Sequence, residues 1–82
     1  MIKVFQVAPL GDSVAEIEIV GWLIEVGAPV AVDQDVVEVE TDKSTLEVPS
    51  PWKGTLHAKH GEPGDVVEVG SPLFSIDTGE PG

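Results

Sequence analysis

Few side chains in this sequence are placed to do chemistry. With no cysteine, there is no thiolate to attack a carbonyl or to hold zinc. The two histidines, His57 and His60, stand three apart in a segment of strand character. Period-two alternation sends them to opposite faces, so a shared metal is not expected. Ser13, Ser44, Ser50, Ser71 and Ser75 lack a neighbouring His–acid pair of the kind a nucleophilic triad needs. The 15 acidic residues contain no acid–base signature, and a solvated face accounts for them better. Gly61-Glu62-Pro63-Gly64 reads as a turn, because neither a helix nor Gly-Lys-Ser/Thr follows it as in a phosphate loop. The informative stretch is Glu40-Thr-Asp-Lys-Ser-Thr-Leu-Glu-Val-Pro-Ser-Pro51, which contains Lys43, one of four lysines. Alternating stretches flank Asp42-Lys43, which puts this dipeptide at a hairpin tip. Asp suits turns, but the pair lacks the glycine that a type I′ hairpin favours. Taken alone, a lysine there is a surface charge that discourages edge-to-edge pairing.

The elements that must position this tip are strands. Apolar residues recur with period two almost throughout. Ile2, Val4 and Gln6 alternate with Lys3, Phe5 and Val7; further runs span residues 14–20, 36–41, 45–48 and 73–77. Gly and Pro interrupt the runs at about 8–12-residue intervals, the spacing of a sandwich or barrel. The one place where a turn of helix is conceivable is Leu23-Ile24. The chain also repeats itself. With Gly27 laid on Gly64, residues 27–40 fall without gaps on residues 64–77. Val30 meets Val67, Val32 meets Val69, and Val36, Val37 and Val39 meet Leu73, Phe74 and Ile76. All are expected in the core. Two copies are too few for a solenoid, so two similar half-sheets around a pseudo-twofold axis are expected. Lys43 then matches Glu80, so the tip and the C-terminal end should lie at opposite ends of the molecule.

With 82 residues, one domain is expected. It must hold its fold with an apolar core unaided by disulfides, and 41% of its residues are apolar. The net charge is −11, and all four basic residues are lysines (Lys3, Lys43, Lys53, Lys59). Only 5% of residues are aromatic. This excludes the basic, aromatic-rich surface of a nucleic-acid binder and disfavours anionic membranes. Basic protein surfaces, in contrast, would be attracted. Met1-Ile2-Lys3 runs straight into a strand pattern without a secretory leader, and no apolar run nears the ~20 residues of a membrane span. A cytoplasmic location is expected, or the mitochondrial matrix in a eukaryote.

Residues 1–77 resemble the lipoyl domains of 2-oxo acid dehydrogenase complexes, as found in dihydrolipoamide acyltransferase components. The key pieces are Glu40-Thr41-Asp42-Lys43 and Leu46-Glu47-Val48-Pro49-Ser50-Pro51. Leu10-Gly11-Asp12-Ser13, Val26-Gly27-Ala28-Pro29-Val30 and the stretch from Gly64 to Leu73 support them. The resemblance implies a flattened all-β barrel of two four-stranded antiparallel sheets with internal quasi-twofold symmetry. It implies lipoic acid joined by an amide to Lys43, with recognition by Thr41, Asp42 and Ser44 and by Gly11, Asp12 and Ser13 of the loop between the first two strands. Amide formation removes the lysine charge and leaves a swinging arm. The implied partners are a lipoate ligase or lipoyl transferase, a thiamine-diphosphate-dependent 2-oxo acid decarboxylase, the acyltransferase core and a dihydrolipoamide dehydrogenase. The isolated domain would be a non-catalytic monomer, and residues 78–82 would begin a flexible linker.

The sequence departs from the family's usual residues at Ser44, where alanine is commonest, and at Asp12, Ala28-Pro29 and Trp52-Lys53. Biotinyl domains share the fold but favour methionine on both sides of the lysine; here Asp42 and Ser44 flank it, and the lone methionine is Met1. The lipoylated carrier of glycine cleavage is longer, with a different sequence around its lysine. An unmodified interaction module is the remaining alternative. Pyruvate, 2-oxoglutarate and branched-chain 2-oxo acids all remain open as the substrate of the complex.

Overall fold

The computed structural model describes residues 1–7 and 15–79. Eight strands form: β1 (Ile2–Gln6), β2 (Glu16–Trp22), β3 (Pro29–Val30), β4 (Asp35–Glu40), β5 (Thr45–Pro49), β6 (Gly54–Lys59), β7 (Val66–Glu68) and β8 (Pro72–Asp77). They make two antiparallel four-stranded sheets, ordered β1-β8-β6-β3 and β5-β4-β2-β7. No helix forms among the described residues. The Leu23-Ile24 segment is a bend, with the Leu23 N–H donating to the Val36 carbonyl at 2.9 Å. That bond ties the backbone to β4 and leaves nothing to propagate an i→i−4 ladder.

The repeat in the sequence is a repeat in space. Exchanging β1 with β5, β2 with β6, β3 with β7 and β4 with β8 turns one sheet order into the other. The backbone specials follow the same exchange: Gly27 (φ 93) matches Gly64 (φ 94), and Asp33 (φ 67) matches Gly70 (φ 92). So do the hydrogen bonds. Gly27 N–H donates to Leu56 O at 2.8 Å, and Gly64 N–H to Ile19 O at 2.7 Å. Leu56 N–H donates to Ala28 O at 3.0 Å, and Ile19 N–H to Asp65 O at 2.9 Å. Each tight glycine turn thus delivers a short strand, β3 or β7, onto a long one in the same register. Bulges fall at matched places too, between Ile19 and Gly21 in β2 and between Leu56 and Ala58 in β6.

The inward faces of both sheets supply one core. Ile17, Ile19, Val37, Val39, Leu56, Phe74 and Ile76 are essentially inaccessible to solvent. Of the β1 residues, Phe5 turns toward the core and stacks on Phe74 with centroids 4.7 Å apart, while Ile2 and Val4 face outward. Trp22 packs on the core edge and donates its indole N–H to Gly61 O at 3.1 Å. Trp52 is half-buried, edge-on to Phe5. Val32 departs from the core expected of it: it is 55% exposed, whereas its mate Val69 packs on the core. Both residues sit in equivalent turns, closed by Gln34 N–H to Ala31 O around left-handed Asp33 and by Ser71 N–H to Glu68 O around left-handed Gly70, so turn geometry alone does not separate them.

The hairpin β4–β5 runs from a base at Asp35 and Pro49 to a tip at Glu40 and Thr45. Ser50, at the base, leads within four residues to Gly54, whose backbone packs so closely on the Asp77 carbonyl that a Cβ there would overlap it. The end of β8 therefore lies at the hairpin's base. The tip lies a strand length beyond, about 17 Å at ~3.4 Å per residue, in a molecule 38 Å long.

Candidate functional site

Thr41, Asp42, Lys43 and Ser44 join β4 to β5. A two-residue hairpin turn of type I′ or II′ needs a left-handed residue, usually glycine. Neither Asp42 nor Lys43 is left-handed; Asp33 is the sole non-glycine with positive φ among the described residues. The turn is closed by the Thr41 side chain. Thr41 N–H donates to Ser44 O at 2.8 Å, and Thr41 Oγ1 donates to the same oxygen at 3.0 Å. Lys43 N–H and Ser44 N–H each donate to Thr41 Oγ1 at 3.2 Å. A hydroxyl thus does what a backbone carbonyl does in an ordinary turn, the known role of Ser and Thr at such places.

Asp42, Lys43 and Ser44 are exposed. The Lys43 amine enters no ion pair or hydrogen bond among the described residues, so its four-carbon stem is free to swing. Beside the tip lies an open cleft of about 340 Å³. Ile17 and Val66 contribute apolar wall, and Glu16, Glu18, Glu40 and Asp42 contribute carboxylates. Ala15, which resumes the described chain after residue 14, borders the same cleft. Gly11, Asp12 and Ser13 themselves lie outside the described residues.

An exposed amine on a turn fixed by Thr41 is placed for acylation to an amide. Among the described residues none covers it. Thr41, Asp42, Lys43 and Ser44 come together as their spacing requires. The family resemblance groups Thr41 with the residues a partner reads; the structure places its hydroxyl inside the turn. The signal was available, since a Thr three residues before a Ser at a strand end is a candidate side-chain-closed turn. The structure also pairs His60 Nε2 with Ser75 Oγ at 2.7 Å, a contact between distant segments that local sequence pattern does not carry. Ser75 is 2% exposed, and among the described residues no carboxylate hydrogen-bonds to that ring, so the pair satisfies a buried hydroxyl. His57 is exposed on β6.

A family model described as "Biotin-requiring enzyme", for biotin–lipoyl domains, matches residues 3–76. The chain belongs to the biotin–lipoyl family. As a biotin–lipoyl domain it is 43% identical over 74 residues to the lipoamide acyltransferase component of the branched-chain alpha-keto acid dehydrogenase complex of Pseudomonas putida. It is 43% identical over 74 residues to the dihydrolipoyllysine-residue succinyltransferase component of the 2-oxoglutarate dehydrogenase complex of Bartonella vinsonii subsp. berkhoffii. With the acetyltransferase component of the pyruvate dehydrogenase complex of Staphylococcus aureus it shares 37% over 73 residues. These alignments cover 89–90% of this domain but only 17–18% of the relatives, so the chain spans under a fifth of their length. Among solved structures, the lipoyl domain of the 2-oxoglutarate dehydrogenase complex from Azotobacter vinelandii superposes with a TM-score of 0.73. The match has 28% identity and covers 98% of this chain and all of that one. The two-sheet architecture of this biotin–lipoyl domain is thus that of a solved lipoyl domain.

Proposed function

We propose that this domain is a lipoyl carrier of a 2-oxo acid dehydrogenase complex, with lipoic acid attached through an amide to Lys43. The observation that carries the reading is the unpartnered Lys43 amine on a turn held by Thr41 and flanked by Asp42 and Ser44. The absence of flanking methionines separates it from the biotinyl branch of the same fold. When bound, the lipoyl group supplies a disulfide that can be reduced and acylated. The protein's own residues supply the rest. The β4–β5 hairpin holds the anchor at one end of the molecule, Asp42 and Ser44 present it, and the freedom of the Lys43 stem gives the arm its sweep. Tethering then raises the arm's effective concentration at each enzyme it visits.

The partners are a lipoate ligase or lipoyl transferase for attachment, then the thiamine-diphosphate-dependent decarboxylase, the acyltransferase core and the dihydrolipoamide dehydrogenase. The acidity of the surface favours basic patches on those enzymes. Gly11, Asp12 and Ser13 join the tip in recognition. The domain itself is a catalytically inert monomer, and residues beyond Asp77 lead into a linker. It works in the cytoplasm, or in the matrix of a eukaryote.

The test is intact mass and tryptic mapping after co-expression with a lipoate ligase and lipoate. The expected result is one lipoyl-sized gain, with cleavage lost after Lys43 and retained after Lys3, Lys53 and Lys59. A biotin-sized gain in a biotin-fed strain, or no gain, would move the function to another branch of the fold.

A further inference from the structure

The Thr41 hydroxyl has one proton to donate and two lone pairs to accept with. All three are used within four residues: the proton on Ser44 O, the lone pairs on the N–H groups of Lys43 and Ser44. Nothing remains with which an incoming enzyme could read the hydroxyl, unless the turn first opens. The bonds instead fix the backbone on both sides of the Lys43 Cα, in a turn that has no glycine and no left-handed residue to hold it.

The fold contains its own control. At the pseudo-twofold position, Thr78 N–H donates to Met1 O at 2.9 Å and Thr78 Oγ1 to the same oxygen at 3.2 Å. These reproduce the Thr41–Ser44 pair of bonds at the end of the molecule that carries no lysine tip.

From this arrangement we propose that Thr41 is a positioning residue for the acylation of Lys43, acting through the turn and not through contact with the modifying enzyme. The inference rests on the reading of Lys43 as the attachment site. In the step concerned, deprotonated Lys43 Nζ forms a C–N bond to the carboxyl carbon of an acyl-adenylate. The C–O bond to the phosphate breaks, AMP leaves with that electron pair, and the nitrogen gives up its remaining extra proton to solvent. Thr41 touches none of these atoms. It holds the Lys43 backbone so that the Cα–Cβ bond leaves the turn in one direction, while the stem beyond it stays free, and misplacement of about an ångström in such a step slows it by up to ~100-fold.

The experiment compares the unmodified wild-type chain with Thr41→Val, Thr41→Ala, Thr41→Ser and Thr78→Val. Each is incubated with a purified lipoate ligase, ATP and lipoate. Initial rates across domain concentrations give kcat and KM for the domain, and amide hydrogen exchange is followed at Lys43 and Ser44. Thr41→Val and Thr41→Ala should stay folded, lose about tenfold or more in kcat with KM little changed, and exchange faster at both amides. Thr41→Ser, which restores the hydroxyl, should behave as wild type in both readouts. Thr78→Val should leave both readouts at the wild-type level.

Wild-type kcat in Thr41→Val would overturn the proposal, as would unaltered exchange at Lys43 and Ser44. A rise in KM alone would assign the hydroxyl to recognition instead. Loss of fold in both Thr41→Val and Thr41→Ala, with Thr78→Val folded, would reduce Thr41 to a stability residue. A wild-type chain that takes no lipoyl group would overturn the attachment reading itself, an outcome distinct from all of these.

Discussion

The two ends of this molecule are built to one plan and furnished differently. At one end Thr41 caps β4 and meets Ser44; at the other Thr78 follows β8 and meets Met1 through the same two donors. At the first end the chain is continuous through Asp42 and Lys43. At the second, the strand that arrives and the strand that departs belong to opposite ends of the described chain. The surroundings differ as well. Glu16 and Glu18 stand near the tip, where their twofold mates near Thr78 are Lys53 and Thr55. The pair of bonds from the threonine is therefore not what singles out the Lys43 end; the bonds from Lys43 N–H and Ser44 N–H to Thr41 Oγ1 are found at the tip alone among the described residues. The residues inserted into the turn, and the charge beside it, are what differ.

The largest expected effect comes from moving the lysine within its turn. Exchanging the two residues (Asp42→Lys with Lys43→Asp) should abolish lipoylation while leaving the melting curve near wild type, because neighbouring positions of a hairpin point in different directions. Mass spectrometry reads the outcome, and full modification of the exchanged chain would show that position is not read. Next in size are the core mates Ile19 and Leu56, both essentially inaccessible to solvent. Truncating either to alanine should cost about 2–5 kcal/mol, measured by urea denaturation. If the pseudo-symmetry holds energetically as well as geometrically, the two costs should agree to within ~1 kcal/mol, and a larger gap would confine the symmetry to geometry.

A circular permutant sharpens the comparison further. Opening the chain between Asp42 and Lys43 and joining Thr78 to Met1 through an Asp-Lys pair moves the tip to the other end. The permutant should fold, and its new lysine should be lipoylated roughly tenfold more slowly than Lys43, about 1.4 kcal/mol of lost transition-state stabilisation. Equal rates would mean that the turn suffices and the adjacent carboxylates are irrelevant. The smallest effect is expected at the paired left-handed glycines. Gly27→Ala and Gly64→Ala meet open space at Cβ but force φ near +93° and +94° on an alanine, for about 1 kcal/mol each in thermal or chemical melts. A cost at one and none at the other would break the equivalence of the two turns.

Much of this architecture could be read from the sequence, and the exceptions have physical causes. Apolar patterning locates β1, β2, β4, β5 and β8: in β1, β2 and β5 burial alternates along the strand, whereas Val36-Val37 in β4 and Leu73 to Ile76 in β8 are buried without a break. β6 has little alternation to read: Leu56 alone is fully buried, and the bulge after it breaks the period. β3 is two residues long and is held by its register on β6, a non-local fact. The repeat correctly pairs the halves yet places Val32 in the core, because apolar identity does not say which of two equivalent turn residues the core reaches. At the candidate site, residue types and spacing place Asp42 and Lys43 at a hairpin tip, and the family resemblance singles out Lys43. The reason the turn holds was not, since a search for glycine overlooks a hydroxyl that closes the turn from the side.

The tie between Thr78 and Met1 also determines how the domain would respond to mechanical tension. A polypeptide entering at residue 1 and leaving at residue 79 would meet this domain at a single point. Pulling on both flanks would load the Ile2–Asp77 end of the β1–β8 ladder first and part its hydrogen bonds one after another, as a zipper opens. This is the weak geometry for resisting force, in contrast to shearing all the bonds of a ladder together. The Lys43 hairpin lies outside that line of force, so the anchor would stay unloaded until the ladder had begun to open.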